Sequence, residues 1–341
     1  MRWPLLAARR FARLPFSPNP EVPEQPPEEA GSDRSTEGSG GIAVMQGLAA
    51  ATRSTTTAAR MARPRQVRSD RNRSAGARGP RWTANTADRH VLYERSVQDP
   101  DAEIAFIDRV FRSISGRKPQ SLREDFCGTA LLCARWIERH PDRTATGVDL
   151  DSRVLRWSRE HHLARLNEPG RRVVLLQQDV RAPSGQRFDV INAFNFSYWV
   201  FKTRATMLDY FRTARRSLGE GGLFYLDAYG GWESMEPMLE RRPVRGGFTY
   251  VWDQNRVDPI THEVINHIHF EFRDGTRLDK AFTYDWRFWT LPELQELLTE
   301  AGFAEVRVYW DDTEDDEEPN FRVRRHANNQ PGWLAYLVAI P

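Results

Sequence analysis

Cysteine, lysine and long apolar runs are all scarce in this chain of 341 residues. The two cysteines, Cys127 and Cys133, are too few for a disulfide framework or a four-ligand zinc site, so a reducing compartment is the simplest setting. No apolar stretch approaches the roughly 18 residues needed to cross a bilayer, which argues against a membrane-spanning role. Lysine occurs only as Lys118, Lys202 and Lys280, so arginine makes up nearly all of the 49 basic residues. GC-rich coding explains such a bias as readily as phosphate recognition does, and the arginine count is therefore no argument for a nucleic-acid partner.

What is present is unevenly distributed. Residues 1–82 are rich in Pro, Ser, Thr, Gly, Ala and Arg, carry an excess of positive charge, and show no sustained helical or strand period. They are expected to be disordered. Three origins fit this segment: a transit peptide, suggested by the acid-free opening MRWPLLAARRFARLPF; a start called upstream of Met45 or Met61; or a nucleic-acid-binding arm. The remainder carries a mildly acidic balance and 40% of the whole sequence is apolar, enough for a real core.

Order is expected from residue 83, with an amino-terminal helical cap over 83–118. Ile104, Ile107, Phe111 and Ile114 recur at helical spacing behind Pro100 and Asp101. From Ser121 strands and helices alternate, through RTATGVDL, RVVLLQQDV, RFDVINAFNF and GGLFYLDAY, which calls for a parallel sheet covered by helices on both faces. The rhythm then changes to period two. FTYVWD, INHIHFEF and AFTYDWRF read as about three antiparallel strands, the last two joined at Asp274-Gly275, forming an insert over 234–289. After it, Thr290 and Glu293 stand in capping-box spacing before a helix ending at Gly302, and VRVYW and WLAYLVAI read as closing strands joined by an acidic loop. The parallel domain thus occupies 119–233 and 290–341.

The stretch LREDFCGTALL, residues 122–132, runs from a strand through a turn into a helix. Free N–H groups at such a helix start can hold a carboxylate or phosphate. A dinucleotide fold needs glycines at three places to admit pyrophosphate, and this turn keeps only Gly128. The sequence resembles motif I of the class I S-adenosylmethionine-dependent methyltransferases, with Glu124 at the acid position and Phe126, Gly128 and Ala130 at the three glycine positions. Four further segments follow in the family's order: TGVDLD, LQQDV, FDVINAFNFSYW and LGEGGLFYLD.

That resemblance implies an α/β fold: a Rossmann-like seven-stranded methyltransferase sheet with helices on both faces, plus the small antiparallel β insert. It implies S-adenosylmethionine as cofactor, held by Glu124, Phe126, Cys127 and Gly128, by Asp149 and Leu150 at the ribose, by Asp179 and Val180 at the adenine, and by Asn195 near the methyl group. Tyr93 is placed either over the cofactor or in the core. Tyr198, Trp199, Tyr229 and Asp285 are assigned to a small-molecule acceptor, to be methylated on nitrogen or oxygen.

The plainer readings stand beside these. Asp149 could cap the following helix, although Asp151 is better placed. Cys127 reads as a buried filler rather than a nucleophile. His267, His269 and Glu271 share one strand face; no fourth ligand accompanies them and no metal is expected, which leaves His267 or His269 as the candidate general base. Tyr250, Trp252, Tyr284 and Trp286 could box a cationic amine or simply bury one side of a sheet. A cytoplasmic enzyme follows, or one of the mitochondrial matrix if the tail is a transit peptide. The alternatives are an RNA or protein methyltransferase that uses the basic tail, and a non-catalytic scaffold of the same fold.

Overall fold

The structure is a computed structural model that describes residues 82–166, 172–183, 185–311 and 319–341. The expectations for the tail and for most of the acidic loop before the last strand lie outside these residues.

Two helices open the described chain. Helix α1 (Arg89–Val97) is capped by Asp88, whose carboxylate accepts from the His90 and Val91 amides. Helix α2 (Pro100–Ser115) starts at Asp99 with Pro100 in its first turn and stops at Gly116, where φ is +70°. Its expected stripe is buried at Ile104, Ile107 and Phe111.

Strands and helices then alternate: β1 (Ser121–Asp125), α3 (Leu131–Glu138), β2 (Thr144–Asp149), α4 (Ser152–His161), β3 (Val173–Gln177), β4 (Phe188–Ala193), α5 (Arg204–Arg216) and β5 (Leu218–Gly230). Helix α6 (Leu291–Glu300) carries the expected capping box of Thr290 and Glu293, and β10 (Glu305–Asp311), β11 (Phe321–Val323) and β12 (Trp333–Ile340) close the sheet. The sheet order is β11-β10-β12-β5-β4-β1-β2-β3. β3, β2, β1, β4 and β5 run parallel, while β12 inserts antiparallel between β5 and β10. The short edge strand β11 makes eight strands where seven were expected. At three residues it is too brief to leave a periodic signal.

Each face of the sheet has its own core. One gathers Phe211, Phe224 and Leu298 from α5, β5 and α6; the other gathers Ile107, Trp136 and Tyr225 from α2, α3 and β5. Complete burial of such side chains contributes about 1.5–3 kcal/mol each.

The insert is a separate antiparallel sheet of four strands, β6 (Met238–Val244), β7 (Phe248–Val257), β8 (Glu263–Phe272) and β9 (Arg277–Arg287), in that order. The sequence suggested three. The fourth, β6, contains Pro243, which cannot donate to a ladder; β6 is an edge strand, where proline is tolerated. The Asp274-Gly275 turn forms as expected, with Gly275 at φ +83°. Leu92 of α1 packs with Phe248, Ile268, Phe270 and Phe272 of the insert in a third core.

Candidate active site

The parallel strands end together at one edge of the sheet, and the order reverses between β1 and β4. Ligands of open α/β sheets bind in the crevice at such a reversal. Most of the cofactor residues expected from the sequence lie along this edge: Glu124, Phe126, Cys127 and Gly128 at the end of β1, Asp149 and Leu150 at the end of β2, Asp179 and Val180 after β3, and Asn195 after β4.

The glycine-poor turn keeps a left-handed backbone at all three positions. Phe126, Gly128 and Ala130 have φ of +57°, +51° and +52°. Non-glycine residues pay roughly 1–2 kcal/mol for this conformation, so the surroundings must impose it. They do so through two backbone anchors: the Cys127 amide donates to the Val148 carbonyl, and the Gly128 amide donates to Asp149 Oδ2 at 2.9 Å. The other oxygen of Asp149 accepts from the Asp151 amide. Asp151 itself caps α4 through the Arg153 amide. Each Asp149 oxygen has capacity for a further donor, such as a ribose hydroxyl.

Cys127 contributes backbone only. Its Sγ would lie 2.8 Å from a Cβ placed on Gly147, so the thiol fills the space beneath β2 and burial pushes its pKa up. Glu124 is buried and accepts from the Cys133 amide and thiol; burial raises its carboxyl to about 7. Beside it, Thr129 Oγ1 and both amide atoms of Asn192 are buried without a hydrogen-bond partner. Unpaired buried polar atoms are costly. Unsatisfied groups of this kind at the strand ends suit the ammonium and carboxylate of an amino-acid moiety, as the spare acceptor capacity of Asp149 suits a ribose.

Asp179 pairs with Arg181 across one turn, at 2.6 Å, while the Val180 carbonyl accepts from Arg123 at the same distance. Arg123 was not singled out from the sequence. It is fully buried on β1, pairs with Asp125 at 2.7 Å, and so ties the loop after β3 to the central strand. Tyr210 of α5 donates to the other oxygen of Asp125.

A cleft of about 910 Å3 of empty space, counting its mouth, opens between this edge, α1 and the insert. Asn195, Phe196, Asp227 and Tyr229 form its floor, Tyr93 and Val97 its α1 side, and Glu240, Tyr250, Trp252, Gln254, Tyr284 and Trp286 its insert wall. Tyr93 therefore belongs to the wall of this cleft. Asp227 is the residue that sequence reading missed. Asn195 and Phe196, with φ of +58° and +57°, present successive amides that donate to its two oxygens at 2.7 and 2.9 Å. Burial raises its carboxyl to about 7. An acid closing LFYLD was the available signal, although its partners lie more than thirty positions upstream.

Several expectations are corrected. His267 and His269 alternate with Ile268, and only Ile268 reaches the cleft. On the far face of the sheet His267 Nδ1 meets Thr283, and His269 bridges Asp253 and the Lys280 amide. Neither histidine is placed to serve as the base. Tyr198 and Trp199 lie in a short helical turn, Ser197–Val200, and are wholly buried. Tyr198 donates to the Asp227 carbonyl, and Trp199 stacks behind Tyr229 at 4.7 Å. They support the floor without lining it, whereas Tyr229 does line it. Asp285 faces away beside Ile265 and pairs with Lys202 on the surface. The four insert aromatics, by contrast, do face the cleft.

Residues 127–224 match a family model described as a methyltransferase domain. A search of curated proteins finds no sequence match. Solved structures are similar in fold at low identity. An S-adenosylmethionine-dependent methyltransferase from Clostridium acetobutylicum is 17% identical, with a TM-score of 0.55 over 74% of this chain and 97% of that one. DesVI from Streptomyces venezuelae is 19% identical, with a TM-score of 0.56 over 74% and 96%. CalS10, an amino pentose methyltransferase from Micromonospora echinaspora whose structure holds bound S-adenosylmethionine, is 16% identical, with a TM-score of 0.54 over 73% and 94%.

Proposed function

We propose that this chain, which carries a methyltransferase domain on the class I fold, transfers a methyl group from S-adenosylmethionine to a nitrogen or oxygen of a small-molecule acceptor. The observation that carries the reading is the junction of two features along one sheet edge: the left-handed turn with Asp149 after β1, and the aromatic cleft floored by Asn195 and Asp227 at the ends of the neighbouring strands β4 and β5. Glu124, the turn amides and Asp149 would hold the cofactor, with Asp179 and Val180 at its adenine end. The cofactor supplies a methyl group on a sulfonium, already a good leaving group.

The chain's own work is then to align the acceptor in line with that methyl and to exclude water, which is how proximity and a dry site lower a barrier. Asn195 and Phe196 place the end of β4 at the junction, and the insert closes the cleft above it. A narrow aromatic cleft suits a small acceptor better than a polymer, and the retained left-handed turn favours a working cofactor site over a non-catalytic scaffold. Cys127 and Cys133 are both free and buried, which suits a cytoplasmic setting. No helix among the described residues is long and apolar enough to cross a membrane.

Calorimetric titration of the full chain tests this reading. S-adenosylmethionine and S-adenosylhomocysteine should bind saturably and NAD should not. Asp149→Ala should weaken binding at least about a hundredfold, corresponding to roughly 2.7 kcal/mol, while its circular dichroism stays that of the wild type. Absence of binding by the folded wild type would overturn the assignment.

A further inference from the structure

We infer that the cleft is built for an organic ammonium ion, and that the acceptor is an amine whose nitrogen Asp227 holds and deprotonates; this rests on the methyl-transfer reading above. What the cleft offers is one-sided. Asp227 presents a buried carboxylate that accepts one backbone amide at each oxygen, leaving acceptor capacity. Gln254 is almost wholly buried, with its amide nitrogen committed to the carbonyls of Glu233 and Glu236. Its Oε1 is thereby turned away from them and has no donor. Around these acceptors stand the rings of Tyr250, Trp252, Tyr284 and Trp286. Among the described residues no Lys, Arg or His lines the cleft.

Arg242 already stands over the Tyr250 ring, 5.2 Å from its centroid, while the acceptors and the Trp252, Tyr284 and Trp286 rings complement a group that is positively charged and donates several hydrogen bonds. A carboxylate or phenolate would meet Asp227 and be repelled. A neutral alcohol would leave the buried carboxylate without a countercharge. The titratable groups that face Asp227 point the same way: Tyr93 from α1, Glu103 from α2, Tyr198 from the turn below and Tyr336 from β12 are acidic or phenolic.

An ammonium has no lone pair, so one proton must leave before transfer. Asp227 takes that proton, and the freed nitrogen pair forms the new bond to the methyl carbon as the sulfur–carbon bond breaks. The bonding pair stays on sulfur as a neutral thioether. The product is the N-methylated ammonium, and Asp227 returns its proton to solvent. With its carboxyl raised to about 7, Asp227 is a stronger base than an ordinary aspartate and lies within about a unit of an α-amino group's usual value near 8.

The test uses the full chain saturated with S-adenosylhomocysteine near neutral pH, with tryptophan fluorescence as the readout, because Trp252, Trp286 and Trp333 line the cleft. Benzylammonium and benzyl alcohol are the matched probes. Benzylammonium should bind at least about tenfold more tightly, a difference of roughly 1.4 kcal/mol, and Asp227→Asn should abolish the preference. Trp252→Leu should reduce it, and serves as the second variant if Asp227→Asn does not fold. Equal binding of the probes, preference for the alcohol, binding of neither, or an unchanged preference in the folded Asp227→Asn protein would each overturn the inference. Failure to bind S-adenosylhomocysteine at all would instead count against the methyl-transfer reading.

Discussion

Glu124 shows how burial makes one residue's contribution to stability depend on pH. Its carboxyl is enclosed with Cys133 and faces Asp149, Asp125 and Glu103, so burial and like charge raise it to about 7. The folded chain then keeps a proton that the unfolded chain releases near 4.5. This contribution to stability is fully present below that value and is lost as pH rises through about 7. Glu124→Gln keeps an acceptor for Cys133 without the charge. Its stability relative to wild type should be little changed at low pH and should rise in the variant's favour by up to about 3 kcal/mol above pH 7. Urea denaturation of the two proteins across that window gives the answer, and parallel pH curves would refute the account.

Among the elements, α1 and the insert depend on each other. Their shared core is separate from the two that clothe the main sheet, and Leu92 is the fully buried side chain that α1 sends into it. Leu92→Ala should cost about 2–5 kcal/mol through lost contact and a residual cavity. Because Tyr93 and Val97 on the same helix line the cleft, the acceptor KM should rise while the affinity for S-adenosylhomocysteine changes much less. Chemical denaturation and calorimetry on the one variant separate these effects. An equal loss of both affinities would mean that α1 is coupled to the turn after β1 as strongly as to the insert.

This scale also separates what was legible in the sequence from what was not. The alternation from β1 to β5 was readable because each strand carries an apolar run and each helix a 3.6-residue period. β6 escaped because Pro243 masks it. The insert's period of two announced two faces for each strand and named neither as the inner one. His267 and His269 were assigned to chemistry on residue type, and packing then placed Ile268 at the cleft instead.

Over the whole molecule, β5 and β4 lie at the centre of the eight-stranded sheet, while β3 and β11 form its edges. Amide exchange should therefore be slowest in β5 and β4 and fastest in β11, approaching the limit of global opening in the centre. Mass spectrometry of exchanging peptides reads this order directly, and an edge strand as protected as β4 would contradict it.

By itself, the sequence determined the parallel domain, the order of its motifs and the placing of Asp149 at a strand end, because those follow from periodicity and from spacing along one chain. Tertiary structure alone decided that Phe126 and Ala130 adopt the glycine conformation, that Arg123 braces the loop after β3, and that Asp227 meets the amides of Asn195 and Phe196. The reason is physical. Left-handed strain, a buried ion pair and a raised carboxylate are all imposed by neighbours distant in sequence, and no local pattern records which neighbours folding will bring.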